Sequence, residues 1–482
     1  MASFDTLIRN AMIADGSGAA PFSADVAITG DRIAAVGNLK EHRAEYSVDA
    51  EGLVLSPGFI DTHTHDDTSV IRAPEMLPKL SQGVTTVIVG NCGVSAAPVQ
   101  LSNGLPDPMN LLGAHDAFRY PTFSSYVEAV AAAQPSVNVA ALVGHTALRN
   151  NHMDSLDRTA RPDEIARMRD QLQEALAHGA LGLSTGLAYL SAASASTEEV
   201  FALSKLLAGA GASYATHLRN EGNAVLQAME EAFGIARRSR VPVVISHLKC
   251  AGMDNWGRSS EVLRSLDLAS RTQEVACDCY PYEASSSTLD LRQVDDRVKI
   301  TITWSTPHPE MAGKSLSETA RRWELPQIEA GRRLQPAGAI YHCMSEDDMR
   351  AILRHPKTMI GSDGLPNDPR PHPRLWGTFP RVLGYYSREQ KLFPLSEAIH
   401  KMTGLPAQRF GFADRGLVRE AFYADLVLFD PATVRDTATF DDPARPAQGI
   451  DSVWVNGSLS YRNGAVCGPR AGRFLPRQAH AR

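Results

Sequence analysis

Short apolar runs alternate with amphipathic stretches through the middle of this chain. The apolar runs predict buried strands at residues 53–60, 84–90, 137–143, 181–184, 212–216, 241–246, 273–278 and 358–362. Helical patterns separate most of these runs, for example at residues 163–178, 197–210, 224–240 and 259–271. Such alternation is typical of parallel strands joined by crossover helices, and we therefore predict an α/β fold with a (β/α)8 TIM-like barrel. An open doubly wound sheet is the alternative, but no G-x-G-x-x-G loop follows a predicted strand.

Both ends of the chain have a different pattern, in which short alternating runs are separated by turn residues. Residues 7–54 predict a meander of β-hairpins, and residues 424–430 and 453–457 predict further strands. We therefore expect one small β-domain built from residues 1–55 and 415–482, with the barrel formed by residues 56–414. The alternative is a separate β-appendage at each end.

One segment is too long for an ordinary connection between a strand and a helix. Residues 281–345 are rich in Ser, Pro and charged residues, with one predicted helix near Leu316–Trp323. Long insertions at the carboxyl end of a barrel usually carry binding residues. We predict that this insertion is a lid or specificity segment.

Amino-acid composition and charge exclude only a few classes of protein. The chain has 482 residues, of which 43% are hydrophobic and 21% are charged, as in ordinary globular proteins. The formal net charge of -6 does not indicate a nucleic-acid or membrane partner. No apolar run approaches the roughly 20 residues of a membrane span, and residues 1–5 lack the pattern of a signal peptide. We expect a cytoplasmic protein whose six cysteines are thiols or ligands; no feature indicates an oligomeric state.

Residues able to bind a metal or transfer a proton follow several of the predicted strands. They are His63 and His65 after the first strand, Cys92 after the second, His217 after the fifth, His247 after the sixth and Asp363 after the eighth. Because the carboxyl ends of barrel strands meet at one face, we expect these groups to lie close together. Alone, Cys92 would be a small buried hydrophobe and Asp363 a turn residue. Their joint position at strand ends favours a metal site.

Other residues of these types are weaker candidates. His145 also follows a predicted strand and is a candidate for contact with a ligand or a substrate. Cys277 and Cys279 lie within or beside a strand, so we interpret them as packing residues.

The types of ligand indicate the metal and the chemistry. Imidazoles combined with a thiolate suit zinc better than magnesium or calcium. Zinc with an open coordination position lowers the pKa of a bound water to about 7 and polarises a carbonyl. Asp363 can take the proton of that water and give it to a leaving amine. These groups fit hydrolysis of an amide or a related bond.

Six motifs resemble those of the amidohydrolase superfamily, and within it those of the N-acyl-D-amino-acid deacylases, or D-aminoacylases. They are GNCG at 90–93, GLSTGL at 182–187, HLRNE at 217–221, SHLK at 246–249, YPY at 280–282 and HPR at 372–374, and they occur in addition to the H-x-H motif at 63–65. The resemblance covers essentially the whole chain. It implies a metallo-hydrolase barrel that hydrolyses N-acyl-D-amino acids to a carboxylate and a D-amino acid.

The resemblance also implies roles for the ligands. Cys92, His217 and His247 would hold one tightly bound zinc ion, and His63, His65 and Asp363 would form a second, weaker site. Asp363 would act as general base and then as general acid. Many binuclear members carry a carboxylated lysine on strand four, but this strand contains none, and Cys92 is the natural substitute.

The substrate-binding residues follow from the same resemblance. Lys249, Tyr280 and Arg374 would bind the carboxylate of a small-molecule substrate, as suits their donors. The side chain of the D-residue would lie against the insertion, among Leu289, Leu291, Arg292, Arg297, Tyr341 and Met344. The apolar members of that set favour hydrophobic side chains. The arginines favour the alternative, an N-acyl-D-glutamate or N-acyl-D-aspartate deacylase.

Two more distant functions remain as alternatives. A cyclic-amide hydrolase, of the hydantoinase or dihydroorotase kind, would use the lysine that strand four lacks. A non-catalytic scaffold would be expected to have lost ligands, yet each expected ligand position is filled.

Overall fold

The computed structural model describes residues 3–101 and 104–478. Its strands are β1 (Ser3–Ile13), β2 (Phe22–Thr29), β3 (Arg32–Gly37), β4 (Arg43–Asp49), β5 (Val54–Pro57), β6 (Phe59–Asp61), β7 (Val84–Val89), β8 (Asn138–Ala141), β9 (Val143–Gly144), β10 (Gly182–Gly186), β11 (Ser213–His217), β12 (Val243–Ile245), β13 (Val275–Cys279), β14 (Ser285–Thr288), β15 (Ile300–Ser305), β16 (Ala337–Tyr341), β17 (Thr358–Ile360), β18 (Leu426–Phe429), β19 (Ile450–Val455), β20 (Ser458–Arg462) and β21 (Ala465–Val466).

The α-helices are α1 (Ser69–Arg72), α2 (Leu77–Leu80), α3 (Phe123–Ala133), α4 (His145–His152), α5 (Pro162–Ala177), α6 (Leu190–Ala193), α7 (Thr197–Ala210), α8 (Val225–Ser239), α9 (Ser259–Ala269), α10 (Leu316–Trp323), α11 (Gln327–Leu334), α12 (Glu346–Arg354), α13 (Arg374–Arg381), α14 (Leu395–Met402) and α15 (Gly404–Phe410). Short 3-10 helices and one π-helical segment, Val382–Glu389, complete the regular structure of the described residues. None of the helices in these ranges is long and apolar enough to cross a membrane.

Parallel strands form a closed ring. One sheet has the order β6-β7-β8, and another has the order β9-β10-β11-β12-β13-β17. Only Leu142 separates β8 from β9, and its amide donates to Val89 O at 2.9 Å, which continues the ladder. On the other side, the Asp363 amide donates to His63 O at 2.7 Å and joins the last strand to the first. The predicted barrel is therefore present in the described part of the chain.

The alternation of side chains explains the packing of the ring. Inside it lies an apolar layer with a residue from or beside each strand: Ile60, Ile88, Ala140, Leu142, Leu181, Ala215, Val244, Ala276 and Met359. Neighbouring positions such as Phe59, Val87 and Ile245 point outward into the larger core with the helices. Strands buried on both faces need continuous apolar runs, and this is why the sequence pattern identified them.

A nine-stranded sheet contains strands from both ends of the chain. In it β5 pairs in parallel with β1 and antiparallel with β18. The alternative of separate appendages is therefore wrong. The predicted single strand at residues 53–60 is also wrong: its first part belongs to this sheet, and β6 belongs to the barrel. The division into 1–55 with 415–482 and 56–414 stays a prediction.

The insertion has its own regular structure. Strands β14, β16 and β15 form an antiparallel sheet, and helices α10 and α11 pack beside it. Helix α10 coincides with the helix predicted from the sequence. It begins at a capping box, in which Ser315 Oγ accepts from the Glu318 amide at 3.1 Å.

A buried polar network fixes the nine-stranded sheet against the barrel. Asp425 precedes β18 and accepts hydrogen bonds from Asn138 of β8 at 3.1 Å and from the Asn456 amide at 2.7 Å. Arg415 supplies its counter-charge, with side-chain exposures of 4% for both residues. Loss of the guanidinium would leave a buried carboxylate without a cation.

We expect Arg415→Ala to destabilise the folded protein by about 3–5 kcal/mol, because breaking a buried pair leaves an uncompensated charge. Urea unfolding followed by circular dichroism measures the effect. Arg445→Ala is the matched control, since Arg445 is 57% exposed and forms an exposed ion pair with Asp442. Equal unfolding midpoints for the two variants would contradict the role of this network.

Candidate metal centre

Three of the predicted site residues adopt left-handed backbone conformations. The φ angles are 54° at Cys92, 34° at His247 and 49° at Asp363. Such angles are uncommon in residues other than glycine and cluster at functional sites. Each residue follows a barrel strand. The backbone therefore turns sharply at the strand ends, and these side chains come together.

The Cys92 thiol lies at the centre of the site. Its Sγ is 3.2 Å from His63 Nε2, 3.2 Å from His247 Nε2 and 3.8 Å from His217 Nδ1. Cys92 is 1% exposed. The first, second, fifth and sixth strands of the ring thus bring one thiol and three imidazoles to one point.

Asp363 lies on the other side of the two first-strand histidines. Its Oδ1 is 3.1 Å from His65 Nε2 and 3.5 Å from His63 Nε2, while its Oδ2 is 2.9 Å from Arg374 Nη2. Two groups of potential ligands result, and Cys92 belongs to both. They are His63, His65, Cys92 and Asp363, and Cys92, His217 and His247.

The surrounding charges keep the anionic groups ionised. Burial alone would raise the pKa of the Cys92 thiol, but His63 and His247 lower it well below its ordinary value. Burial would likewise raise the pKa of Asp363, which Arg374 and the hydrogen bond with His65 lower instead. These neighbours therefore favour the thiolate and the carboxylate over their neutral forms.

These donors fit zinc. Within each group, the donor atoms lie within 4.8 Å of one another. Thiolate and imidazole are the ligands that zinc prefers, and three protein ligands leave a position open. Two groups that share one thiolate could hold one ion or two adjacent ions.

A cleft of about 1060 Å³ opens onto this centre. Lys249, Tyr280, Leu289, Arg292 and Tyr341 line it, together with His217, His247 and Asp363. His63, His65 and Cys92 lie beneath, buried to 2% exposure or less. The cleft runs between the carboxyl ends of the barrel strands and the insertion.

Comparisons with known proteins agree with this geometry. The model of the Amidohydrolase family matches residues 47–303 and 315–461. D-aminoacylase from Alcaligenes xylosoxydans xylosoxydans is 49% identical over 476 residues, which are 99% of this chain and 98% of the relative. The chain belongs to the amidohydrolase family.

Solved structures of amidohydrolases match the whole chain. A crystal structure of D-aminoacylase has a TM-score of 0.97 and 50% identity, covering 98% of this chain and 100% of its own. N-acyl-D-glutamate deacylase from Bordetella bronchiseptica, complexed with zinc and a phosphonate inhibitor, has a TM-score of 0.96 and 44% identity, with the same coverage. The predicted family and the predicted fold are confirmed.

Arg374 of this amidohydrolase has unusual surroundings. Its side chain is fully buried and bonds only Asp363 and Ser286 O, while Nε and Nη1 have no partner within the described residues. The buried hydroxyl of Tyr280 also has none there, and the Tyr280 ring lies 4.5 Å from the guanidinium carbon. Buried donors normally have partners, so these groups have donors left to bind an anionic ligand.

The residues of the predicted side-chain pocket divide into two sets. Leu289 is 2% exposed and lines the cleft, and Tyr341 lines it with its hydroxyl donating to Thr288 O at 2.9 Å. Arg292 also lines the cleft but pairs with Asp290 at 2.7 Å. Met344 does not line it: it lies in the insertion core, behind the wall formed by Lys249 and Tyr280. The expected contact between Met344 and the substrate side chain is therefore corrected, because Met344 packs within the insertion core.

His145 does not reach the centre. It begins helix α4, where its Nε2 lies 2.9 Å from Glu199 Oε1, and Arg149 binds the same oxygen at 2.5 Å. All three side chains are fully buried. This cluster joins α4 to α7. Among the described residues, His145 therefore contacts Glu199 and not the metal ligands or the cleft, where the sequence predicted it.

Sequence reasoning missed a buried cation below the metal centre. Lys79 Nζ lies 2.7 Å from Asp61 Oδ2, 3.0 Å from Asp66 Oδ2 and 3.0 Å from Ser362 Oγ. Burial alone would lower the pKa of Lys79, but the two aspartates raise it. The ammonium therefore ties the first strand end to the last. A lysine in a four-residue helix gave no signal of this role.

Sequence reasoning also missed Glu221 and Asp278, whose carboxylates contact the imidazoles. Asp278 Oδ1 lies 3.3 Å from His63 Nδ1 and accepts from the His247 amide at 2.7 Å. Glu221 contacts His217, His247 and Lys249. The motif HLRNE contained Glu221, but only the fold reveals what it faces.

We expect Cys92→Ala to lose tightly bound zinc, because Cys92 is the only residue shared by both groups of ligands found among the described residues. Metal analysis after dialysis against a weak chelator measures this, with stoichiometric zinc expected in the unaltered protein. Cys467→Ala is the control, since Cys467 lies in the partly exposed C-terminal region. Stoichiometric zinc in Cys92→Ala would move the binding site elsewhere.

Proposed function

We propose that this amidohydrolase cleaves N-acyl-D-amino acids, with water, into a carboxylate and a D-amino acid. The observation that carries the proposal is the buried guanidinium of Arg374, which has two unpartnered donors beside Asp363 and the metal ligands. An anion bound there would hold the rest of a small substrate at the zinc position. The relatives that act on N-acyl-D-amino acids, as their names state, support the same reaction.

Arg374, Tyr280 and Lys249 supply the groups for the substrate carboxylate. The Nε and Nη1 atoms of Arg374, which have no partner among the described residues, can each donate a charge-assisted hydrogen bond to a carboxylate. Tyr280 adds a buried hydroxyl, and Lys249 adds a second positive charge at the cleft wall. Donors from three side chains would fix the carboxylate in position and orientation.

Asp363 carries the proton in the proposed reaction. A zinc ion bound by Cys92, His217 and His247 would supply Lewis acidity and lower the pKa of a water molecule. Asp363 Oδ1 takes a proton from the water molecule while the oxygen of that water adds to the acyl carbon. The same carboxylic acid then protonates the nitrogen as the C–N bond breaks, which restores the carboxylate. Arg374, 2.9 Å from Oδ2, holds the other oxygen in place.

The D-configuration follows from three fixed points. The carboxylate lies at Arg374, the acyl carbonyl lies at the metal position, and the side chain takes the remaining direction. Only one enantiomer can then direct its side chain towards the insertion without moving the other two groups. The side chain of the L-enantiomer would point into the wall of the barrel mouth.

We further propose that the preferred D-side chains are hydrophobic. Leu289, Leu291, Val294 and Ile328 give the cleft an apolar surface along the insertion. The two candidate arginines are already paired, Arg292 with Asp290, and Arg297 with Asp254 at 2.8 Å. Near them the cleft lining contains further aspartates, Asp107, Asp295 and Asp296, so an acidic side chain would meet excess negative charge.

The acidic alternative is an N-acyl-D-glutamate or N-acyl-D-aspartate deacylase. It has one supporting observation besides the 44% identity to the Bordetella bronchiseptica protein. Arg292 is 51% exposed within the cleft, and a substrate carboxylate could replace Asp290 as its partner. A panel of substrates distinguishes the two alternatives.

We also propose a cytoplasmic location. All six cysteines are free thiols, and Cys92 must stay reduced to act as a ligand.

We expect the zinc-loaded protein to release D-leucine and D-methionine from their N-acetyl derivatives, D-glutamate more slowly, and the L-amino acids not at all. Amino-acid release measured by chiral chromatography tests this order. Asp363→Ala should lower kcat by about 10²–10⁴, the usual contribution of a general acid and base. Release from none of the D-substrates would refute the proposed function, and a higher rate with N-acetyl-D-glutamate would favour the acidic alternative.

We expect Arg374→Lys to raise KM for N-acetyl-D-methionine by about 10–100-fold, because an ammonium cannot replace the paired donors of a guanidinium. Steady-state kinetics give KM and kcat separately. Arg370→Lys is the control, since Arg370 is exposed on the same segment of the chain. An unchanged KM in Arg374→Lys would remove Arg374 from the substrate carboxylate site.

A further inference from the structure

The two zinc-ligand imidazoles of strands β11 and β12 use different nitrogens. His217 faces Cys92 through Nδ1, at 3.8 Å, and His247 faces it through Nε2, at 3.2 Å. A neutral imidazole that binds a metal through one nitrogen carries its proton on the other. His217 must therefore present Nε2–H, and His247 must present Nδ1–H, on the side away from the thiol.

A single carboxylate faces both of these nitrogens. Glu221 Oε2 lies 3.5 Å from His217 Nε2, and Glu221 Oε1 lies 3.0 Å from His247 Nδ1. The Glu221 side chain is 16% exposed. Its loop is fixed at both ends, since Asn220 Oδ1 accepts from the Gly222 amide at 3.0 Å, and Glu221 O accepts from the Ala251 amide at 2.8 Å.

Lys249 complicates this arrangement. Its Nζ lies 2.6 Å from Glu221 Oε1 and 2.7 Å from His247 Nδ1. An ammonium is only a donor, so a hydrogen bond from Lys249 to Nδ1 would require the proton of His247 to be on Nε2. That tautomer cannot bind zinc through Nε2. Zinc binding therefore needs Lys249 to donate elsewhere, and Glu221 Oε1 is within reach.

We propose that Glu221 is a positioning residue that accepts hydrogen bonds from both zinc-ligand imidazoles and draws Lys249 away from His247 Nδ1. The inference rests on the zinc site of the proposed function but not on its substrate. It joins the metal centre to the carboxylate-binding site, because His247 and the substrate-binding lysine share one acceptor oxygen. Lys249 Nζ, 2.6 Å from Glu221 Oε1, supplies the positive charge beside this acceptor.

The expected effect of losing the charge is large. A glutamine at position 221 can accept through its oxygen on one side only, and its amide group would oppose an N–H donor on the other. Lys249 would then donate to His247 Nδ1 and favour the tautomer that cannot bind zinc. Loss of a carboxylate that orients metal-binding imidazoles typically weakens metal binding by about 10–100-fold.

The zinc dissociation constant of the metal-free protein tests the inference without any substrate. Competition with a chromophoric chelator should give a 10–100-fold weaker constant for Glu221→Gln than for the unaltered protein. Adding Lys249→Met to Glu221→Gln should recover at least about threefold, as expected for directly interacting neighbours. Asp254→Asn is the matched control, because Asp254 lines the same cleft and pairs with Arg297. It should bind zinc like the unaltered protein.

A second measurement uses the unaltered protein and does not depend on how the variants fold. Long-range ¹⁵N–¹H spectra of the zinc-loaded protein should show the proton of His217 on Nε2 and that of His247 on Nδ1. The opposite tautomer at either residue overturns the inference. So does a zinc affinity of folded Glu221→Gln within twofold of the unaltered protein, or no recovery in the double variant. Weak zinc binding by Glu221→Gln in a protein that hydrolyses no N-acyl-D-amino acid would support this inference and refute only the proposed substrate.

Discussion

The mouth of this barrel is organised around the buried Cys92 thiol, whose ionised form is favoured by the groups packed against it. Cys92 is almost completely enclosed, and its charge depends on His63 and His247, each 3.2 Å away. Removing an anion from water is costly unless partners compensate it. The same requirement recurs around the centre: Asp363 with Arg374, Glu221 with Lys249, and Lys79 with Asp61. The site is thus a set of buried charges, each compensated by its neighbours.

Closure of the ring makes this compensation possible. His63 and Asp363 are 300 positions apart in sequence, yet the Asp363 amide donates to His63 O. If the same strand order formed an open sheet, the first and last strands would lie at opposite edges, and the group of His63, His65, Cys92 and Asp363 would not form. Lys79 strengthens the closure, because it binds residues from both strand ends within one buried cluster. The fold and the metal centre therefore depend on each other.

The insertion gives the centre its second wall. Its small antiparallel sheet and helices have their own apolar core, which includes Tyr280, Leu289 and Tyr341. Residues from that core line the cleft opposite His217 and His247. A rigid wall of this kind can hold a side chain in one direction, as discrimination between D- and L-residues requires. The insertion is therefore a packed unit with its own sheet and apolar core rather than a loop without regular structure.

The sequence predicts those features of the fold and of the site that depend on residues close together in the chain. Helix α7 begins and ends as predicted, because Ser196 caps its first turn and Gly211 takes the left-handed angle beyond its last. The apolar runs identified the barrel strands, since strands covered on both faces cannot alternate. The position of His63, Cys92, His217, His247 and Asp363 after those strands was visible for the same reason. The change from one sheet to another at Gly58, between β5 and β6, is marked in the sequence only by Ser56, Pro57 and Gly58, and such a short interruption does not show that the two halves join different sheets.

Tertiary structure alone decided which partners these residues have. Glu221 lies in a polar loop like many others until the fold brings His217, His247 and Lys249 around it. His145 resembled the other strand-end histidines, but the start of α4 directs it to Glu199. The left-handed angles at Cys92 and Asp363 are likewise imposed by the strand ends rather than by residue type. Sequence determines which residues can bury their surface or bind metal, because those properties are local, whereas pairing depends on distances between residues far apart in the chain.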